Sequence, residues 1–176
     1  RINGNVTVSG NCAITVEGDV WITGNLTLTN SASLAVKLGI TTQPVIMVDG
    51  ASGVALRNNS DLLSNTNLTP VGFKVITYAS SVACSTATSS ACDVTGTNLY
   101  NSKNITTISI ENAAEAAQTE FYARWSKVVV NNSGNIGALV GQTVELSNAA
   151  AITFGTEVTG FTGPVAWVVN SYKRTF

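Results

Sequence analysis

The sequence predicts an all-β protein that folds as a right-handed parallel β-helix, a β-solenoid with three short strands in each coil. Two observations predict this fold. A twelve-residue phrase occurs six times along the chain, and a further apolar strand segment typically accompanies a copy of it. The 176 residues fit one domain, and we expect a single solenoid over residues 1–176.

The phrase starts at residues 5, 25, 53, 107, 127 and 143, and its positions are numbered one to twelve. Positions two and four are apolar in every copy, position six is Asn or Gly, and position eight is small. Position ten is apolar in five copies and weakens to Ala116 in the fourth. The copies read NVTVSGNCAITV, NLTLTNSASLAV, GVALRNNSDLLS, TISIENAAEAAQ, KVVVNNSGNIGA and TVELSNAAAITF.

Each position of the phrase has a structural meaning. Alternation with a period of two directs positions two and four to the inner face of a short strand. Asn and Gly tolerate positive φ, so position six predicts a left-handed corner. The small eighth residue lets that corner close against its neighbours, and position ten begins the next inward strand. One phrase therefore predicts a strand, a corner and a second strand.

A third strand is predicted outside the phrase, and three strands per turn are typical of a parallel β-helix. Its segments are residues 19–24, 45–50, 73–79, 120–126 and 137–141. The spacing of the phrase is uneven, so one coil must carry an insertion, which we assign to residues 80–103. The Gly-rich tail at residues 155–176 is interpreted as a cap, because the last coil would otherwise expose strand edges and core.

Two of the three cysteines, Cys84 and Cys92, flank a Ser/Thr/Ala-rich stretch of the insertion. This spacing predicts a disulfide that closes the loop and implies an oxidising, extracytoplasmic location. The alternative is two unpaired cysteines in a flexible loop. Cys12 occupies position eight of its phrase, so we expect it to be an inward corner residue. The chain has no His, which disfavours a metal site.

Composition limits the partners. Charged residues make up only 11% of the chain and the net charge is -1, which disfavours nucleic acid. No run of about 18 apolar residues predicts a membrane span. Because Arg1 leads directly into the first phrase, a secretion signal or an anchor upstream is compatible with the sequence.

Catalysis is not supported by the residue types. Without His, a Ser-His-Asp arrangement is excluded, and the ten acidic residues are scattered. The closest group is Glu17, Asp19 and Asp49, of which Asp19 and Asp49 are more simply strand-terminating turn residues. No cofactor is predicted, and we expect a protein that is not an enzyme.

The residues that the phrase does not explain are the candidates for partner binding. They are Trp21, Tyr100, Tyr122, Arg124 and Trp125. Trp21 lies on the outward phase between Val20 and Ile22, which favours its exposure. For Arg124 the simpler interpretation is a guanidinium stacked on Tyr122 or Trp125, with ligand contact as the alternative.

Several segments resemble one known family. The runs DVWITGNLTL, PVIMVDG, GNIGALVGQTVELSNAAAITFGT and WVVNSYK, together with the paired cysteines of the insertion, resemble the β-helical ectodomain of PilX-like, type IV pilus-associated surface proteins. The resemblance covers nearly the whole chain. It implies a secreted ectodomain behind an N-terminal hydrophobic pilin-like segment, and it carries no catalytic residues.

We therefore expect a non-enzymatic extracellular structural or adhesive domain, a minor pilin-like or pilus-tip protein that presents loops on a rigid β-helix. Its partners would be other pilus components or a host-cell ligand, including a glycan, and it would meet a membrane only through an upstream segment. The alternatives are a carbohydrate-binding or polysaccharide-acting β-helix and a scaffold that stacks end to end.

Overall fold

The computed structural model describes residues 1–77 and 106–152, which are all-β and contain no helix. Every strand pairing in these residues is parallel, and the strands join in one nearly closed sheet of thirteen strands. In chain order the strands are β1 (Val6–Ser9), β2 (Ala13–Val16), β3 (Val20–Ile22), β4 (Leu26–Thr29), β5 (Ser33–Val36), β6 (Val45–Val48), β7 (Val54–Arg57), β8 (Asp61–Leu63), β9 (Lys74–Thr77), β10 (Thr106–Glu111), β11 (Glu115–Val130), β12 (Asn135–Leu146) and β13 (Ala151–Ile152).

The pairings form three ladders. Ladder 1 runs β1, β4, β7, β10 and then the last residues of β11 and β12. Ladder 2 runs β2, β5, β8, the first residues of β11 and β12, and β13. Ladder 3 runs β3, β6, β9 and the middle of β11 and β12. Each copy of the phrase begins one repeat, so the chain contributes β1–β3 to repeat 1, β4–β6 to repeat 2 and β7–β9 to repeat 3.

The long strands β11 and β12 pass through all three ladders, whereas the sequence predicts separate short strands. The register between them shifts at Ala116/Glu120 and again at Ala123/Lys127, at the two passages from one ladder to the next. Parallel pairing resumes after each corner within the same two strands, which joins the ladders into a single sheet.

The core lies between the ladders and is built from the inward positions of the phrase. Leu28, Leu56 and Ile110 at position four are fully buried, as are Ala32 and Ala114 at position eight. Ladder 3 adds Ile46 and Val75, and the buried apolar residues of all three ladders form one cluster. Each repeat thus covers the apolar surface of its neighbours.

The corner after ladder 1 has the left-handed backbone that the phrase predicts. The Asn residues at position six have φ between 49° and 57°, and Gly10 has φ 68°. Their side chains form an asparagine column: the Nδ2 of Asn58, Asn112 and Asn132 each donates to the Oδ1 of the preceding Asn, at 3.2, 3.1 and 3.0 Å. The column is Asn30, Asn58, Asn112 and Asn132.

The cysteine predictions have different outcomes. The expectation for Cys12 is wrong, because this residue is exposed with a free thiol. The equivalent Ala32 and Ala114 have described repeats on both sides, whereas β2 pairs only with β5 in the described part of the chain. Cys84 and Cys92 lie outside the described residues, as do the whole insertion and the whole proposed cap, so the predicted disulfide stays a prediction.

Candidate functional site

The predicted acidic group of Glu17, Asp19 and Asp49 does not form a cluster. Glu17 pairs with Lys37 at 2.8 Å, and Asp19 accepts a hydrogen bond from the backbone N–H of Val45 at 2.8 Å. Asp19 precedes β3 and Asp49 follows β6, so they lie at opposite ends of ladder 3, about 13 Å apart along the strands. Each carboxylate has its own structural partner, and the three do not converge on one ligand.

Trp21 is exposed, as the sequence predicts, and it is held on two sides. Its indole Nε1 donates a hydrogen bond to Oδ2 of Asp49 at 2.5 Å, and the Arg1 guanidinium lies 4.5 Å from the centre of its ring. With 41% of its surface accessible, Trp21 is among the most exposed large apolar side chains of the described residues. The two contacts fix the direction of the ring on the outer face of ladder 3.

Trp21 begins a row of apolar side chains on the outside of ladder 3. Cross-strand register aligns Trp21 with Met47, Met47 with Ile76, Ile76 with Tyr122 and Tyr122 with Val140. We call Trp21, Met47, Ile76, Tyr122 and Val140 the outer column. Tyr122 and the residues between it and Trp21 are half-buried. The structure therefore brings two of the five predicted partner-binding residues into one row.

The remaining predicted partner-binding residues have separate outcomes. Arg124 is exposed and lies two residues beyond Tyr122 in β11. The backbone of Trp125 belongs to the same strand, but its side chain is outside the described residues. Tyr100 is also outside them. Of the predicted set, the structure thus places Trp21 and Tyr122 on ladder 3, and Arg124 at the corner that follows it.

A second surface, which the sequence interpretation missed, is a groove on the outside of ladder 1. Its volume is about 500 Å³. Thr27, Ala55, Ser109 and Val129 occupy one register row and form its floor. Its walls are Asn25, Ser52, Gly53 and Thr106 on one side and Arg57 and Glu111 on the other. We call this surface the ladder 1 groove.

The ladder 1 groove carries one cation and one anion. Arg57 and Glu111 both stand at position five of their phrases and are in register on adjacent strands. The Ser109 hydroxyl donates to the Glu111 carboxylate. Two features of the sequence could have revealed this groove. Ala55 is a small outward residue, and charged residues stand at position five of consecutive copies of the phrase.

Ladder 2 contains a carboxylate pair on adjacent strands, Asp61 and Glu115, which are also in register. Burial of Asp61 raises the pKa of its carboxyl, and the charge of Glu115 raises that pKa further, while a hydrogen bond from the Glu115 backbone lowers it. No third carboxylate, His or Cys joins them, and the described residues contain no group of three such side chains suited to a metal ion.

Loops between ladders 2 and 3 expose leucines that the phrase does not explain. Leu38 is 67% accessible, and Leu68 is fully exposed. The loops are held by the buried Asn65, whose Nδ2 donates to the carbonyl of Ile40 at 2.7 Å and whose Oδ1 accepts from the N–H of Val71 at 2.9 Å. Asn67 also donates to the Ile40 carbonyl, at 2.7 Å, so both loops form one hydrogen-bonded unit.

Within residues 1–77 and 106–152 we find no helix with the length and hydropathy that a membrane crossing would require. Comparison with known proteins gives no relative: no protein-family model, no curated protein and no solved structure matches this chain.

Proposed function

We propose that this chain is a non-enzymatic, extracellular structural and adhesive domain, a pilus-associated protein of the minor pilin or tip type. We further propose that its ladders wind as a right-handed parallel β-helix, with three strands per coil, that presents loops and outward side chains to partners. The observation that carries the proposal is the outer column, a row of in-register apolar and aromatic side chains on a hydrogen-bonded frame.

The frame has the regularity that an adhesive scaffold needs. At the corner after ladder 1, the N–H of position seven donates to the position-six carbonyl of the next repeat, as from Ser31 to Asn58 at 3.0 Å and from Asn59 to Asn112 at 3.0 Å. The asparagine column repeats the same connection with side chains. Backbone and side-chain hydrogen bonds therefore link repeats across the 54-residue interval between Asn58 and Asn112.

The contacts of the acidic residues also support a structural role for this chain. Glu17, Asp19 and Asp49 form an ion pair, a backbone hydrogen bond and an indole hydrogen bond, respectively. Each of these contacts joins one repeat to the next, so these carboxylates contribute to the scaffold.

Surface exposure in an oxidising compartment is part of the proposal, and with it a disulfide between Cys84 and Cys92. Peptide mapping of the natural protein under non-reducing conditions should recover residues 84 and 92 in one linked peptide. Recovery of both as free thiols would remove the disulfide from the proposal.

The localisation test uses source cells and an antibody against the purified domain. We expect immunogold labelling at the cell surface, release of the protein by mechanical shearing, and co-purification with pilus filaments. Retention of all of the protein in the cytoplasmic fraction would overturn the extracellular assignment.

The adhesion test uses beads coated with the purified domain and applied to host cells. Because Trp21 and Tyr122 belong to the outer column, Trp21→Ala with Tyr122→Ala should reduce bead attachment several-fold. Thr7→Ala, an exposed outward substitution on ladder 1, is the matched control and should leave attachment unchanged. Equal attachment of both variants would overturn the role of the outer column.

The alternative is a carbohydrate-binding or polysaccharide-acting β-helix protein. The ladder 1 groove favours its binding form, because it combines hydrogen-bonding side chains with apolar contact surface.

A further inference from the structure

We propose that the ladder 1 groove binds an uncharged oligosaccharide that lies across the strands, along the direction in which the repeats stack. The inference deepens the adhesive function proposed above by naming a class of ligand, and it rests on that function for its biological meaning. It does not use the outer column, which lies on ladder 3.

The shape of the groove suits an elongated ligand. Its floor crosses four strands, from Thr27 on β4 through Ala55 on β7 and Ser109 on β10 to Val129 on β11. Three strand spacings give a length of about 14 Å. The volume of about 500 Å³ lies within the range of small-ligand sites.

The lining offers many hydrogen-bonding groups of both kinds. Asn25 uses its Oδ1 to accept from the N–H of Ser52 at 3.0 Å, and its amide N–H groups have no partner among the described residues. The hydroxyls of Thr27, Ser52 and Thr106 are likewise without a hydrogen-bond partner in that part of the chain. A saccharide presents hydroxyls that both donate and accept, and so it can satisfy this mixture.

The charges of the groove favour a neutral ligand. Arg57 and Glu111 are in register but form no ion pair within the described residues, so both retain hydrogen-bonding capacity toward a ligand. A guanidinium donates to two neighbouring oxygens at once, and a carboxylate accepts from hydroxyls with charge-assisted strength. An acidic saccharide would gain from Arg57 but would be repelled by Glu111.

Apolar contact is supplied by Ala55 and Val129 in the floor, against which the C–H faces of a sugar ring can pack. Ala55 is the smallest outward residue of its row and leaves space between Thr27 and Ser109. The strand spacing of about 4.8 Å is close to the length of one pyranose unit, so successive rings would meet successive strands.

A peptide is a poorer fit to the same surface. Recognition of an extended peptide by a sheet uses unpaired backbone groups at a strand edge. The groove lies over β4, β7 and β10, and each of these strands is already paired on both sides within ladder 1. Apart from the backbone of Gly53, the groove offers side chains to a ligand.

The experiment measures binding of the purified chain to neutral hexasaccharides of glucose, xylose, mannose and N-acetylglucosamine, with oligogalacturonate and sialyllactose as acidic probes. Calorimetry gives the affinity, and amide chemical-shift changes in NMR spectra locate the site. We expect at least one neutral probe to bind, with shifts concentrated at residues 25–27, 52–57 and 106–111.

Matched variants test the position. Thr27→Leu fills the groove, whereas Thr7→Leu makes the same change at the same phrase position one strand away, outside the groove lining. We expect Thr27→Leu, Arg57→Ala and Glu111→Gln each to weaken binding about tenfold or more, and Thr7→Leu to leave it unchanged. Circular dichroism and the urea midpoint establish that each variant is folded.

Three results would overturn the inference: no binding of any neutral probe at millimolar concentration, binding that the groove variants leave unchanged, or binding of acidic probes alone. These results are distinguishable from failure of the proposed function. A domain that coats pili and attaches to cells without binding sugars would lose only this inference. A sugar-binding protein confined to the cytoplasm would lose the adhesive function instead.

Discussion

Repeats 1 and 5 are built from the same phrase, yet they are buried very differently. At position ten, Ile14 of repeat 1 is 40% exposed, whereas Ile136 of repeat 5 is fully buried. At position eight, Cys12 is exposed and Gly134 is buried. The difference lies in the neighbours: Ile136 is in register with Ala116 and Ile152, one on each side, while Ile14 aligns only with Leu34 in the described part of the chain.

The comparison shows that the phrase determines which side chains point inward, but not how much each of them contributes to stability. The contribution comes from stacking, because an inward residue loses its remaining contact with water only when a repeat lies on either side. Mutations at equivalent positions should therefore have effects that depend on the repeat.

The largest expected effect is at position ten. Ile136→Ala should lower the free energy of unfolding by about 2–5 kcal/mol, because it leaves a cavity in a buried site. Ile14→Ala, the matched change in repeat 1, should cost about 1 kcal/mol or less, because that side chain is already partly hydrated. Urea unfolding followed by circular dichroism measures both. Equal losses would mean that Ile14 is covered in solution.

The asparagine column gives the next largest effect. Asn112→Ala should destabilise by about 1–3 kcal/mol, since it removes two column hydrogen bonds and places a Cβ-bearing residue without a local hydrogen bond at φ 57°. Asn112→Gly loses the same hydrogen bonds without the steric strain and should cost less.

Repeat 1 lacks the column, because Gly10 stands at position six. Gly10→Asn should therefore add repeat 1 to the asparagine column, through a hydrogen bond with Asn30, and raise the free energy of unfolding by up to about 1 kcal/mol. The urea midpoints of the three variants test this order. A destabilised Gly10→Asn would show that the column adds nothing at the end of the ladders.

A smaller effect is expected at Thr119, a buried residue whose hydroxyl has no hydrogen-bond partner among the described residues. Thr119→Val keeps the shape and removes the unpaired polar group, so it should raise the free energy of unfolding by about 1 kcal/mol. Thr107 is the matched control, since its hydroxyl bonds to Thr77 at 2.9 Å and to Ser126, and Thr107→Val should destabilise. Destabilisation by both substitutions would mean that the Thr119 hydroxyl is satisfied in solution.

The smallest expected change in stability is at Asp61 on ladder 2. In repeat 1 the same register row contains the uncharged Ala13. The pKa of Asp61 is raised above its usual 3.8 by burial and by Glu115, so the folded state binds the proton more tightly than the unfolded state. Ionisation of Asp61 therefore costs stability, and this cost appears as the pH rises from 3.8 through the folded pKa.

At neutral pH Asp61→Asn should stabilise by about 0.2–1 kcal/mol, the range for charged pairs on adjacent strands, and the gain should disappear below pH 3.8. Urea midpoints at several pH values measure this, and Glu115→Gln should lower the pKa of Asp61 in an NMR titration. A gain from Asp61→Asn that does not change with pH would contradict the electrostatic origin.

The sequence predicted the backbone conformation at positions where the residue type favours one conformation. Asn30, Asn58 and Asn112 were predicted at left-handed corners and have φ of 55–57°. The following residue is also left-handed, as at Ser31 and Ala113, and this was missed because Ala carries no signal for positive φ. A contact with the next repeat stabilises that conformation: the backbone N–H of Ala113 donates a hydrogen bond to the carbonyl of Asn132.

The same distinction between local signals and contacts with other repeats applies to the candidate sites. The outward phase of Trp21 was predictable from the alternation of its strand, but its alignment with Tyr122 depends on the register of β3, β6, β9 and β11. The ladder 1 groove depends on pairing between β7 and β10, whose partners Val54 and Ile108 lie 54 residues apart.

By itself, the sequence determined the all-β class, the places of the strands and the left-handed corners, because a period of two and the tolerance of Asn and Gly for positive φ act within a few residues. Only the tertiary structure decided that β11 and β12 run unbroken through three ladders, that Cys12 and Ile14 remain exposed, and that Arg57 lies beside Glu111 over a groove. These features depend on which repeat lies next to which, and parallel pairing brings together residues that no local pattern connects.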